Sequence, residues 1–173
     1  ARRRASEDRD EAGAIALELD RLNQERRAIE AAVTAEALAQ ALETQANSPV
    51  AVVAGQGWHP GVVGIVAARV KERLNRPALV LALGEDGVAK GSGRSIPGVD
   101  LGAAILAAKA HGLIREGGGH AMACGVTVEA AQLDRFSGWL AEHLAGPVAA
   151  AGSERALSID LAVAPRAVTP DLA

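Results

Sequence analysis

The sequence predicts an α/β fold with a mixed central sheet of about five strands, preceded by a long helix. Short apolar runs of strand length alternate with longer segments of helical periodicity, which is the pattern of an α/β domain. The tight-turn sequence Gly-Glu-Asp-Gly at 84–87 separates two of the strand-like runs, which indicates an antiparallel hairpin within the sheet. A chain of 173 residues is long enough for one such domain and an appended arm.

Residues 6–46 form one long helical pattern. Ser6 and the acids that follow it suit a first helical turn, where the positive end of the helix dipole stabilises negative charge. Apolar residues spaced by three, four and seven positions form a single interrupted stripe: Ile15, Leu19, Leu22, Ile29 and Val33. Because the stripe is thin, we expect this helix, assigned to residues 1–48, to bridge two bodies. A helix that simply packs along one surface is the alternative.

Residues 49–146 hold the predicted α/β domain. The predicted strands are 50–54, 78–83, 88–92 and 126–128, and the predicted helices are 60–75, 101–111 and 130–144. Pro60 suits the first position of its helix, where a missing N–H costs nothing, and Asp100 is a candidate N-cap. Residues 147–173 are assigned to a linker, expected over 146–152, and to the start of a following segment with a strand-like pattern at 157–163.

Composition and charge favour a soluble protein of a reducing compartment. The lone Cys124 excludes an intrachain disulfide, and no apolar run reaches the roughly 18 residues of a membrane helix. The net charge is -3, yet residues 55–120 carry eight bases against five acids. This local balance suits a phosphate-bearing partner without requiring one. Because the first residue is Ala and the single Met is internal, we expect the chain to be part of a larger protein.

Three glycine-rich segments carry the polar side chains most suited to a ligand. They are 55–61 (Gly-Gln-Gly-Trp-His-Pro-Gly), 91–95 (Gly-Ser-Gly-Arg-Ser) and 117–120 (Gly-Gly-Gly-His). Each follows or ends a strand-like run, and we predict each as a turn. A strand, a glycine-rich turn and a helix start together favour anion binding, because free N–H groups and the helix dipole point at the turn.

The first two segments suggest contacts to phosphate or nucleic acid. Trp58 could stack on a base, and His59 could donate a hydrogen bond. Arg94 is suited to a bidentate grip on phosphate, with the hydroxyls of Ser92 and Ser95 beside it. A packing tryptophan in an ordinary turn and a surface arginine in a loop are the structural alternatives.

The third segment is the more informative one. Three glycines lose much backbone entropy on ordering, so a fold keeps them where strain or a close approach requires them. Gly118 and Gly119 are therefore candidates for close contact with a ligand. His120 could bind a phosphate or act in acid–base chemistry, although a structural donor is the alternative. His111 and His143 are expected at helix ends or on the surface.

The sequence lacks the signatures of a self-sufficient catalytic site. It contains no Asp/His cluster of metal-ligand spacing and no cysteine pair for zinc. A lysine-containing phosphate loop and a plausible nucleophile–base pair are also missing. The segments could therefore bind and position a phosphodiester but could not readily cut one.

Residues 58–69, 91–95 and 117–125 resemble three successive motifs of the RecJ family, the single-strand-specific 5′-to-3′ exonucleases among the DHH phosphoesterases. The resemblance covers about 50–145 and implies the fold of a DHHA1 domain, with residues 6–46 similar to the helix that joins the DHH and DHHA1 domains.

The RecJ resemblance also implies roles for residues and partners. It implies a two-metal hydrolase using Mn or Mg, whose ligands lie in a DHH domain absent from this sequence, so that this chain holds no metal, no cofactor and no catalytic residue and is inactive alone. Ser92 and Arg94 would help to hold a 5′ phosphate, with His59 and His120 lining the cleft. The implied partners are single-stranded DNA and the DHH and OB domains of the same protein, whose OB segment would begin near 156–173, in a bacterial cytoplasm and without a membrane.

Two alternatives stay open. One is another DHH-family phosphodiesterase that acts on very short oligonucleotides or mononucleotides. The other is a non-catalytic module for RNA binding or dimerisation, in which the glycine segments are structural and the helix at 6–46 is the interaction surface.

Overall fold

The structure of the chain is a computed structural model that describes residues 9–153. Its elements, in order, are α1 (Arg9–Gln45), β1 (Ala51–Gln56), α2 (Val63–Leu74), β2 (Ala78–Leu83), β3 (Val88–Arg94), α3 (Leu101–Ala110), β4 (Glu116–His120), β5 (Ala123–Glu129) and α4 (Leu133–Ser153). The predicted helix start at Ser6, the predicted strand 157–163 and the expected OB segment lie outside the described residues. None of the helices within 9–153 is long and apolar enough to cross a bilayer.

The five strands form one mixed sheet in the order β1-β2-β3-β5-β4. Strands β1 and β2 are parallel and are joined by α2, whereas the other three pairings are antiparallel. The turn at 84–87 closes the β2–β3 hairpin, with Gly87 N–H donating to the Gly84 carbonyl over 3.2 Å. The predicted fold class, with its five-stranded mixed sheet and long first helix, is confirmed.

Helices α3 and α4 cover one whole face of the sheet. Alternate strand residues such as Leu79, Leu81 and Val126 point into this layer and pack with Phe136 and Leu140 of α4. Asp100 caps α3 as predicted, because its Oδ1 accepts the Ala103 N–H over 2.9 Å. Burying each large side chain of this kind stabilises the fold by about 1.5–3 kcal/mol, so this layer forms the main core.

Helices α1 and α2 cover only part of the other face. The buried residues of α2 and the last third of α1 pack over β1 and β2 and reach β3: Val33, Ala37, Ala41, Val63, Val66, Ala67 and Val70. Farther along, Gly125 of β5 and His120 of β4 are exposed on this side. The sheet therefore has an open face next to α2, and the candidate site is built there.

Two glutamines of α1 close the free edge of β1. The Gln45 side chain donates to the Val52 carbonyl (2.6 Å) and accepts the Val52 N–H (2.8 Å). Gln40 pairs in the same way with both backbone groups of Ala54, at 3.3 and 3.1 Å. Each primary amide takes the place of a peptide group from a further strand, so the edge is protected from strand addition and α1 is fixed against the sheet.

The sequence-based helix boundaries need two corrections. Helix α2 begins at Val63 rather than at Pro60, because the Val62 N–H donates to the His59 carbonyl over 3.0 Å and closes a separate turn first. Residues 146–152, expected to be a linker, continue α4 to Ser153. This last part of α4 is stabilised by packing, since Val148 and Ala151 contact the main core.

Two of the three glycine segments are strands rather than turns. Residues 91–94 form the end of β3, and residues 117–120 form most of β4. Glycine has low intrinsic strand propensity, so the predicted strand 88–92 stops short of Arg94 and no strand is predicted at 117–120. The pairing of both segments with β5 decides their conformation instead.

Candidate nucleic-acid interface

Strand register brings four of the predicted ligand-binding residues, Ser92, Arg94, Gly118 and His120, onto one face. Residues directly opposite one another in neighbouring strands share a face of a sheet. Two cross-strand rows on the open face contain them: Arg94–Ala123–His120 and Ser92–Gly125–Gly118. Two strand spacings separate the ends of each row, so the Arg94 and His120 backbones are about 10 Å apart. The arginine, the serine and the histidine therefore face a common surface.

Two glycines, Gly118 and Gly125, form the floor of the open face, and packing does not require glycine at either position. A Cβ built at Gly118 or Gly125 would meet nothing within 4 Å. The glycines that alternate with them point the other way, and there a Cβ would collide with the protein. At Gly91 and Gly119 it would lie 2.2 and 2.3 Å from a backbone carbonyl oxygen. Close packing thus explains the second set, whereas Gly118 and Gly125 leave a flat floor that an extended chain can approach.

The start of α2 forms the wall beside this floor. A Cβ on Gly64 would lie 3.2 Å from Arg94 Nη2 and 3.6 Å from Ser92 Oγ, so both side chains reach the first turn of the helix. Within residues 9–153 no side chain caps α2, and the first N–H groups of a helix have no partner within it. The positive end of the helix dipole and the guanidinium therefore lie together, which favours an anion between them.

Arg94 keeps most of its donors available. Its Nη1 donates to the Gly93 carbonyl over 2.9 Å, which orients the guanidinium. No carboxylate in the described part of the chain lies within ion-pair distance of it. An arginine has five N–H donors, so a bidentate contact to a phosphate is still possible.

A cavity of about 490 Å³ extends the open face toward the turn at 57–62. His59 and Lys90 both line it. The Nδ1 atom of His59 accepts the Gly61 N–H over 3.0 Å, so the neutral ring carries its proton on Nε2 and can donate it to a ligand. Lys90 alternates with Ser92 and Arg94 along β3 and faces the same side. Sequence reasoning missed Lys90, although this spacing of two residues from Ser92 was a usable signal.

Trp58 and Ser95 have structural partners instead. The Trp58 side chain is 7% exposed, lies against Gly55 and donates from Nε1 to Glu36 Oε2 over 2.8 Å. Ser95 is 1% exposed, and its hydroxyl donates to the Val99 carbonyl over 2.8 Å. Trp58 borders the cavity that His59 and Lys90 line, but it is too buried to offer a ring face to a base, and the Ser95 hydroxyl already has an internal partner.

The described residues form no evident metal site, and their one cysteine is a poor nucleophile. No group of three or more His, Cys, Asp or Glu among them is close enough to hold a metal. Burial raises the pKa of the Cys124 thiol from 9.0 to about 11, so the thiolate is scarce near neutral pH. His111 and His143 are exposed and contact Trp139 on the far side of the molecule. Among the described residues the open face thus presents cationic and neutral hydrogen-bond donors rather than a metal site or a readily ionised thiol.

Known proteins match most of this chain. The single-stranded-DNA-specific exonuclease RecJ of Bacillus subtilis (strain 168) is 42% identical over 126 residues, which are 72% of this chain and 16% of that protein. The RecJ of Escherichia coli (strain K12) is 43% identical over 125 residues, which are 69% of this chain and 22% of that protein. The chain therefore spans less than a quarter of either relative.

Solved structures agree with these matches. RecJ from Thermus thermophilus in complex with Mg²⁺ superposes with a TM-score of 0.73 at 31% identity, over 84% of this chain and 22% of that chain. Exonuclease RecJ bound to manganese gives a TM-score of 0.70 at 32% identity, over 82% of this chain and 35% of that chain. The family model described as DHHA1 domain matches residues 47–145. The chain therefore belongs to the DHHA1 domain family and is homologous to the corresponding part of RecJ exonucleases.

Proposed function

We propose that this chain is the DHHA1 part of a RecJ-like 5′-to-3′ exonuclease and that its open face binds the phosphate backbone and the 5′ end of single-stranded DNA. One observation carries this proposal. Arg94 and Ser92 lie on the same face as His120 and Gly118, in two cross-strand rows. The side chains of Arg94 and Ser92 also adjoin the first turn of α2. The names of the RecJ relatives supply the substrate class.

Each part of the face has a role in binding. The Arg94 guanidinium and the Ser92 hydroxyl contact the 5′ phosphate, and the first N–H groups of α2 contribute the helix dipole. Gly118 and Gly125 let the sugar–phosphate backbone lie against the sheet. His120 and His59 donate to phosphates farther along the strand. Cleavage would belong to a DHH domain that uses Mn or Mg in the bacterial cytoplasm, and this chain by itself would be inactive.

Replacing Arg94 tests the proposal in the full-length protein. Arg94→Ala removes a charge-assisted contact, which is worth about 1.5–3 kcal/mol and corresponds to roughly 10- to 150-fold weaker binding. Fluorescence anisotropy with a 5′-phosphorylated single-stranded oligonucleotide measures it. Arg135→Ala is the matched control, because Arg135 is an exposed arginine of α4, on the opposite side of the sheet. Equal affinities of wild type and Arg94→Ala would refute the role.

Substrate length separates this proposal from its nearest alternative. An exonuclease that follows a strand along the open face should bind a longer oligonucleotide better than a dinucleotide, since additional phosphates reach His120 and the cavity of His59. A protein that binds a dinucleotide as tightly as a longer strand would instead be a phosphodiesterase for short oligonucleotides. The same anisotropy assay, run with both lengths as competitors, distinguishes them.

A further inference from the structure

Trp58 anchors the turn at 57–62 that precedes α2. Its indole packs against Gly55, where an added Cβ would be only 2.2 Å from the ring, and it belongs to the core under α1 and α2. The residues on both sides of it, Gly57 and His59, are exposed. Trp58 and Val62 are thus the buried side chains that hold this turn to the body of the domain, and Trp58 is the one with a hydrogen-bond donor.

The polar end of Trp58 is held by α1. Its Nε1–H donates to Glu36 Oε2 over 2.8 Å, which is a hydrogen bond to a charged acceptor. About one helical turn farther along α1, Gln40 fixes this part of the helix to the edge of β1 through two hydrogen bonds to the backbone of Ala54, which Gln45→Ala would leave in place. Because α1 cannot slide along the sheet, the position of Glu36 sets the position of the indole.

The turn held in this way borders the candidate site at two points. His59 lies in it and lines the cavity shared with Lys90. Val62 ends the turn, and two residues later Gly64 lies beside the side chains of Arg94 and Ser92, so close that an added Cβ would be 3.2 Å from Arg94 Nη2. A shift of the indole would move His59 and the start of α2 together.

We propose that Glu36 is a positioning residue for the nucleic-acid-binding face and that it acts through Trp58 on the turn at 57–62. This inference rests on the proposed function of the open face. It makes α1 part of the binding apparatus, although α1 itself contributes no residue to the face. The Trp58–Glu36 hydrogen bond thereby adds a polar link between α1 and the binding face to the apolar packing of α1 on α2.

The test compares three single variants of the full-length protein, and Trp58→Phe, alone and combined with Glu36→Ala, is added as a check on the same hydrogen bond. Glu36→Ala removes the acceptor, Glu36→Gln keeps an oxygen at the same place, and Gln45→Ala removes two hydrogen bonds of α1 far from the turn. Two quantities are measured: the affinity for a 5′-phosphorylated single-stranded oligonucleotide, and the hydrogen-exchange rate of the Gly61 amide in the free protein. The Gly61 N–H donates to His59 Nδ1 and so reports on the turn.

We expect Glu36→Ala to weaken oligonucleotide binding by about threefold to tenfold, the net effect of one hydrogen bond, and to accelerate Gly61 exchange. Glu36→Gln should restore both values. Gln45→Ala should lower the melting temperature but leave affinity and Gly61 exchange unchanged. Trp58→Phe, which removes the donor but keeps a ring, should match Glu36→Ala, and the double variant should be no worse than either one.

Several outcomes would overturn the inference. If Glu36→Ala keeps the affinity and the Gly61 exchange rate of the wild type, Glu36 has no positioning role. If Gln45→Ala changes both quantities as much as Glu36→Ala does, Glu36 is only a structural residue. If the wild-type protein does not bind the oligonucleotide at all, the proposed function fails, and Gly61 exchange alone decides the inference. Faster exchange in Glu36→Ala than in Gln45→Ala then supports the link between α1 and the turn, and equal rates exclude it.

Discussion

Adjacent glycines of β4 should respond in opposite ways to the same substitution. An alanine at Gly119 would place its Cβ 2.3 Å from the Ala123 carbonyl oxygen and 2.6 Å from Cys124 Cα, both backbone atoms of the paired strand β5. Backbone atoms cannot rotate away as a flexible side chain can, so β4 and β5 would have to separate locally. Overpacking of this kind costs about 1–3 kcal/mol or more, and we expect the upper end for Gly119→Ala.

Gly118→Ala is the matched control for this experiment. A Cβ at Gly118 meets nothing within 4 Å, and its backbone is outside the left-handed region. Removing a strand glycine there should change stability by at most about 0.5–1 kcal/mol, in the stabilising direction. Its methyl group would nevertheless stand on the floor of the open face, so this variant should bind single-stranded DNA less well while remaining folded.

Thermal denaturation followed by far-UV circular dichroism measures the difference between the two variants. For a domain of this size, about 2–4 °C of melting temperature corresponds to 1 kcal/mol, so Gly119→Ala should melt roughly 6–12 °C below the wild type. Gly118→Ala should melt at or slightly above it. If the melting temperatures of the two variants agree within about 2 °C, the inference that Gly119 faces the paired strand while Gly118 faces the open side is wrong.

Two further predictions concern buried groups. Ser95→Ala leaves the Val99 carbonyl without its hydroxyl donor and should lower the free energy of unfolding by about 1–2 kcal/mol in urea denaturation, with oligonucleotide affinity unchanged. Weaker binding at unchanged stability would instead assign Ser95 to the site. The Cys124 thiol ionises with a pKa of about 11 when folded and 9.0 in the reference state, so unfolding is favoured as pH rises from 9.0 to about 11. Over that pH range the free energy of unfolding should fall by up to about 2–3 kcal/mol in the wild type but not in Cys124→Ala. Identical pH profiles of the two proteins would contradict this prediction.

The strands with ordinary side chains could be predicted from the sequence. The prediction of a strand at 78–83 agrees with β2 residue for residue, because a run of Val, Leu and Ala buried on both sides is a local signal. The hairpin at 84–87 and the Asp100 cap depend equally on nearby residues. For such elements, local chemistry and tertiary packing favour the same structure.

Elements defined by contacts distant in sequence could not be predicted. Strand β4 consists largely of glycine, so only its pairing with β5 shows that it is a strand. The site differs from its prediction for the same reason. Trp58 is predicted to offer its ring to a ligand, but its donor finds Glu36, which is 22 positions away in the chain. Lys90 is different, because it lies within the predicted strand 88–92 and its spacing of two from Ser92 already places it on the same face.

The chemistry of the open face determines how it recognises a strand. It offers a guanidinium, imidazoles, a lysine, a hydroxyl and the start of a helix, which are groups that contact phosphates, while the carboxylates of Glu85 and Asp86 lie at the far end of the cavity. Trp58 is buried, and Trp139 belongs to the helix layer on the opposite side. Because neither indole offers an exposed ring to stack on bases, we expect the proposed binding to depend on phosphates and to read little sequence. A glycine floor suits that task, because the backbone geometry that it admits is common to every nucleotide.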